Sequence, residues 1–216
     1  LLHVDGAFGR WARTAPKLEP LSAGLELAHS WATDGHKWLQ LPYECGFAIV
    51  RYADAHRRAM AIGASYLPTH AYEPGHFVPE LSRRARGFAV WTMLRTLGRE
   101  GVAEMVLRHC ALARRLEQKL STEPGVSILN EVALNQVIVR FCDDDAITRA
   151  VIARMQADNV CFAEGARWRG VAVMRLSIIS SPLKASDIDR LAEAIVSAFR
   201  VVRGDRPCSS ASPLLV

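Results

Sequence analysis

The stretch Ser30-Trp31-Ala32-Thr33-Asp34-Gly35-His36-Lys37-Trp38-Leu39-Gln40-Leu41-Pro42-Tyr43-Glu44-Cys45-Gly46 decides how the chain is read. At its centre is Lys37, one of only four lysines among 27 basic side chains; the rest are arginines. A lysine set among Trp, Leu and Pro is a place where an amine can be held out of water. Desolvation disfavours the ammonium form and leaves a nucleophilic nitrogen for Schiff-base chemistry. Taken alone, a lysine reads first as a surface lysine at a strand edge, because unpaired charge is seldom buried, and context has to decide. His36 also has two readings, a contact to a phosphate or ring, or a satisfied structural histidine. Ser30 could donate to a phosphate. Asp34, an acceptor, is expected to cap or to pair.

Upstream, Leu1 to Val4 reads as the end of a buried strand that opens at Asp5-Gly6-Ala7. A carboxylate at the C-terminal end of a strand, beside small residues, can reach a bound ring. Against a pyridine nitrogen it would keep a proton in place and the ring an electron sink. A turn or cap aspartate is the plainer alternative. Strand-like segments follow at Ala28–Thr33 and Gly46–Tyr52, with Pro16 and Pro20 breaking the connection before them. Short apolar strands with longer crossings suggest a mostly parallel sheet. Residues 63–79, with three prolines, two tyrosines and two histidines, read as a long functional loop.

Helical spacing then places Phe88, Trp91, Leu94 and Leu97 on one face, expected in the core, with Gly98 and Gly101 as interruptions. A second helix, Val102–Leu120, stops at Pro124-Gly125. Beyond it, a small α/β unit is expected. Its strands are Val126–Leu129, Gln136–Phe141, Val160–Glu164 and Val171–Ser180; its helices are Asp143–Asp158 and Ser186–Val202, the latter capped by Ser186. Residues 1–100 and 101–203 form two domains in this reading, with 204–216 a disordered tail.

Composition narrows the function classes. Half the residues are hydrophobic, enough for a real core. The net charge of +5 comes from scattered arginines, and the densest group, Arg83, Arg84 and Arg86, is not interleaved with aromatics, so nucleic acid is not an expected partner. Five widely spaced cysteines without C-x-x-C argue against a disulfide framework or zinc site, and a reduced, cytoplasmic setting follows. No metal site is expected: Glu73 and His76 have ligand spacing for a helix, but Pro74 and Gly75 lie between them. No run is long enough for a membrane span, and no G-x-S-x-G or Walker-type signal is present. A chain that starts inside a strand, without methionine, reads as the continuation of something longer.

His3-Val4-Asp5-Gly6-Ala7-Phe8-Gly9, followed 25 residues later by D-G-H-K-W, resembles the pyridoxal-phosphate-dependent group II amino-acid decarboxylases. That family includes the aromatic-L-amino-acid, glutamate and histidine decarboxylases. Ser82-Arg83-Arg84-Ala85-Arg86-Gly87 looks like the family's arginine helix leading out of the large domain. Asn130-Glu131-Val132 to Arg140-Phe141 and Trp168-Arg169-Gly170 to Arg175-Leu176-Ser177 look like strands of its C-terminal domain.

The resemblance implies a type I, aspartate-aminotransferase-like α/β fold, represented by the later part of the large domain plus the small domain. It implies pyridoxal 5'-phosphate as cofactor, bound by Asp5 at the pyridine nitrogen, Ala7 against the ring, His36 near the phosphate and Lys37 as Schiff base; Ser30 is a further phosphate candidate. Decarboxylation of a small amino acid by a homodimeric carboxy-lyase is the implied activity. A loop tyrosine, Tyr72 rather than Tyr66, would return the proton. Transamination, aldehyde synthesis or a non-catalytic assembly module are the alternatives. Asp34 stands where several relatives have an asparagine near the phosphate. The histidine stacked over the ring and the Ser/Thr/Gly phosphate turn would precede Leu1.

Overall fold

Alternation in Ser30-Trp31-Ala32-Thr33-Asp34 makes this stretch the middle strand of a small sheet, since successive side chains of a strand point to opposite faces. The computed structural model describes residues 1–61, 73–80, 82–204 and 208. The chain divides into two compact units, Leu1–Val106 and Leu107–Val216.

In the first unit, strands β1 (His3–Asp5), β2 (Ser30–Asp34) and β3 (Gly46–Val50) form a sheet in that order. The pairing β1–β2 is parallel, with Asp5 opposite Ala32, and β2–β3 is antiparallel, with Asp34 opposite Gly46. The expected mostly parallel sheet is therefore mixed here. The reason is the short connection at residues 35–45, which doubles the chain straight back, whereas a parallel return needs a dozen or more residues. The β1–β2 crossing supplies that length through 3-10 turns at Gly9–Thr14, Glu19–Ser22 and Leu25–Leu27.

One sheet face carries Trp31, Thr33 and Phe47. Trp31 donates its indole N–H to the Leu25 carbonyl at 2.7 Å, and Trp11 meets Phe47 edge-on with centroids 6.4 Å apart. Ala12, Ala15, Leu18, Ala28, Trp38, Leu39 and Leu41 are buried. Helix α1, Ala53–Met60, follows β3; it lies outside the segments read from sequence.

Helix α2, Arg86–Leu120, is broken at Gly98, whose φ of 64° and ψ of −175° suit glycine alone. Gly101, the other expected interruption, is helical. Phe88, Trp91 and Leu94 do share a face, but it is exposed (74, 60 and 42%), not core. Periodicity fixes which side chains share a face; what covers that face is not local information, and no described residue buries it.

The second unit has strands β4 (Val126–Ile128), β5 (Gln136–Phe141), β6 (Glu164–Trp168) and β7 (Val171–Ser177) in the order β4-β5-β7-β6, all pairings antiparallel. Helices α3 (Asp145–Ala157) and α4 (Ala185–Arg203) pack with it around Val137, Phe141, Val151, Met174, Ile188 and Phe199. The strand expected at Val160–Glu164 is displaced to Glu164–Trp168. A two-residue hairpin at Arg169-Gly170, both with positive φ, pairs Trp168 with Val171, while Val160 and Phe162 are exposed. Asp144 caps α3 through the N–H groups of Ala146 and Ile147. Ser186 does not cap α4: the helix begins one residue earlier, and Asp187 accepts the Lys184 N–H at 2.8 Å. The expectation of unpaired cysteines is corrected at Cys142 and Cys208, which form a disulfide over a separation of 66 residues.

A charge network around the buried Arg140 staples this unit. The Arg140 guanidinium reaches the carboxylates of Asp143 and Asp145 at 2.7 and 2.6 Å and the Ala172 carbonyl at 2.9 Å. Its first effect on Asp145 is through that hydrogen bond, which with the Ala172 N–H holds the carboxyl down at about 2. His109 is fully buried in α2, and desolvation, aided by Arg108, lowers it to about 4.

Both groups bind protons more readily in the unfolded chain, so stability falls with acid in two windows. Between about pH 6.5 and 4 the His109 contribution disappears, on the order of 3 kcal/mol. Between about pH 4 and 2 the Asp145 contribution follows. Denaturant unfolding against pH should show both steps; His109→Gln should flatten the first and Asp145→Asn should reduce the second, the rest of which belongs to Asp189, held at about 2 by its hydrogen bond from Arg115.

Candidate active site

Parallel register puts Asp5 and Ala32 side by side on one face of the sheet, and Asp34 lies two residues further along β2 on that face. Strand geometry separates Asp5 and Asp34 by about 8 Å. Between and beside them are small residues, Ala32, Ala48 and Gly46, so this face is open. Asp5 is itself exposed. Its Oδ1 accepts the Ala7 N–H at 3.0 Å, and its other oxygen takes no bond from the described residues.

From Asp34 the chain enters the turn that carries His36 and Lys37. The Gly35 N–H donates to the Cys45 carbonyl at 2.8 Å and the His36 N–H to the same oxygen at 3.3 Å. A side chain at Gly35 has no room: a Cβ there would lie 2.7 Å from Leu41 Cδ1 and 2.8 Å from Phe47 Cε2. Buried Trp38, Leu39 and Leu41 anchor the far side.

His36 Nδ1 lies against both groups of the Cys45 peptide, 2.9 Å from its carbonyl oxygen and 3.1 Å from its N–H nitrogen. The other ring nitrogen, Nε2, faces Asp34 Oδ2 at 3.7 Å. Tyr43 lies over the His36 ring with centroids 4.2 Å apart. Lys37 Nζ is 2.7 Å from the same Asp34 oxygen and 5.0 Å from the centre of the Phe8 ring. The expected desolvated amine is thus an ion-paired one: its neighbours are buried, but the Lys37 side chain is about a third exposed at 32%.

Not every candidate joins this cluster. Ser30 is at the opposite end of β2, about 13 Å from Asp34 by strand rise, and its hydroxyl is 2.8 Å from His3 Nδ1. Tyr66 and Tyr72 lie outside the described residues. Among the described residues no group of three or more His, Cys, Asp or Glu side chains could hold a metal, and no helix is long and apolar enough to cross a membrane.

The arginine cluster has a use that sequence reasoning missed. Arg84 donates to the Tyr43 carbonyl at 3.1 Å, and Arg86 donates to the Glu44 carbonyl at 2.8 Å and pairs with the Glu44 carboxylate. Residues some forty positions downstream therefore pin the loop whose Cys45 holds the His36 turn. Their targets are mostly main-chain oxygens, which carry no sequence signal.

Residues 1–142, two thirds of the chain, match the family model described as the pyridoxal-dependent decarboxylase conserved domain. The chain belongs to this decarboxylase family. It is 26% identical over 194 residues to a 3,4-dihydroxyphenylacetaldehyde synthase of Aedes aegypti, covering 87% of this chain and 37% of the relative. It is 27% identical over 194 residues to the aromatic-L-amino-acid decarboxylase of Sus scrofa, covering 87% and 40%. The fold matches the crystal structure of Oryza sativa TDC with PLP and tryptamine at a TM-score of 0.85 and 21% identity, over 92% of this chain and 44% of that one. The family and the mixed α/β fold are those implied by the Asp5 and His36-Lys37 motifs. The chain spans about two fifths of the length of these relatives.

Gly35→Ala should lower the stability of the first unit by about 1–3 kcal/mol, the usual cost of overpacking. Thermal unfolding followed by tryptophan fluorescence, with Trp38 buried next to the turn, is the measurement.

Proposed function

We propose that the chain is the lysine-bearing part of a pyridoxal-phosphate-dependent amino-acid decarboxylase, a carboxy-lyase, with Lys37 as the residue that holds the cofactor through its amine. The observation that supports this most is the meeting of Asp5, Asp34, His36 and Lys37 at one end of an open sheet face lined by small residues. The residues fit the group. An exposed carboxylate with a free oxygen suits a protonated pyridine nitrogen, an accessible amine suits an aldehyde, and the small residues Ala32, Ala48 and Gly46 leave space beside them.

When bound, pyridoxal phosphate supplies an electron sink for the pair left behind as carbon dioxide departs. Asp5 would keep the pyridine nitrogen protonated, Ala7 would flank the ring, and His36 would face the phosphate. Return of a proton to the substrate carbon falls to a loop tyrosine, for which Tyr72 is our candidate. A homodimer acting on a small amino acid in the cytoplasm completes this reading by analogy with the family.

A second reading keeps the same residues and changes the product. One of the relatives is a 3,4-dihydroxyphenylacetaldehyde synthase, so an aldehyde in place of an amine is the competing outcome, separated by product analysis. A cofactor-free assembly role predicts no specific reaction at Lys37.

Incubation with pyridoxal phosphate, borohydride reduction and peptide mapping tests the reading. The phosphopyridoxyl group should appear on Lys37 well above Lys17, Lys119 and Lys184, and Lys37→Ala should remove the specific label. Label spread evenly over the four lysines would overturn it.

A further inference from the structure

Asp34 has a relation to Lys37 that the cofactor-binding reading does not require. Its Oδ2 is 2.7 Å from Lys37 Nζ, within the range of charge-assisted hydrogen bonds. The two residues are three apart across a turn that the Cys45 peptide holds fixed, so the pair is preorganised. An ammonium paired with a carboxylate must give up a proton, and the ion pair with it, before its nitrogen can attack a carbonyl. Opening the pair does not strand the carboxylate, which is 26% exposed and has His36 Nε2 3.7 Å from the same oxygen.

We propose that Asp34 is a positioning residue that holds the Lys37 amine as an ion pair over the Phe8 ring and thereby slows its reaction with electrophiles until the pair opens. The proposal rests on the reading of Lys37 as an amine that must meet an aldehyde, and adds a control on how readily it does so. The pair is partly exposed, with side-chain accessibilities of 32% for Lys37 and 26% for Asp34. Screening limits such pairs, so the effect on reactivity is roughly two- to fivefold.

The test needs no cofactor. Trace acetylation with acetic anhydride at neutral pH forms a new bond from the amine nitrogen to the acyl carbon, expelling acetate and the amine proton. Mass spectrometry reads the extent at each of the four lysines. In Asp34→Asn, acetylation of Lys37 relative to Lys17 and Lys184 should rise roughly two- to fivefold; in Asp34→Glu, which keeps the carboxylate, it should stay near wild type. Lys119, paired with Asp189 at 3.2 Å, is a second ion-paired lysine and should not change. An unchanged Lys37 ratio in Asp34→Asn, or an equal rise at all four lysines, would overturn the proposal. Failure of pyridoxal phosphate to label Lys37 would instead sink the cofactor reading and leave the acetylation result standing.

Discussion

The turn that carries His36 and Lys37 depends on one peptide group. The Cys45 carbonyl takes the N–H groups of Gly35 and His36, and His36 Nδ1 lies against both the carbonyl and the N–H of that same peptide. These contacts fix where the turn goes and which way the other ring nitrogen faces. Buried main-chain groups must be paired, so the arrangement also satisfies the backbone of a segment too tight to pair with itself. The Gly35 contacts follow from the closeness of that approach, and the arginines of the next segment follow from the need to hold the Cys45 loop in place.

The second unit is stabilised differently. It has a continuous apolar core between sheet and helices, and its charged residues close off the sheet rather than build a site. Arg140 satisfies two carboxylates and two carbonyls at once, so losing any one partner would leave a buried charge short of bonds. Glu123 and Arg200 make a two-bond pair at 2.9 and 2.6 Å between α4 and the loop preceding β4. The Glu123 carboxyl is lowered chiefly by those hydrogen bonds.

Much of the fold could be read from sequence because the deciding signals were local. Short apolar runs marked β2 and β3, an acidic N-terminus marked the start of α3, and the paired motifs around Asp5 and Lys37 marked the family. The errors share one origin, in that the decisive partner was distant. Val160 and Phe162 look like strand residues until the Arg169-Gly170 hairpin sets the register. Trp91 has core spacing on a helix whose face the described residues leave uncovered. Cys142 and Cys208 find each other across 66 residues. In the site, the presence of Asp34, His36 and Lys37 was visible, but their shared use of one carboxylate oxygen was not. Ser30 has suitable chemistry and sits at the wrong end of its strand.

The open face of the first sheet has a colloidal consequence. A flat sheet surface left bare usually invites association, since exposed apolar area and unpaired strands are what aggregating chains share. Here the bare surface carries Ala32, Ala48 and Gly46 with two aspartates, Asp5 exposed and Asp34 paired with Lys37. The small side chains expose little hydrocarbon, and a second copy of the same face would bring Asp5 against a like charge. The features that leave space for a ring also make this face a poor template for a copy of itself.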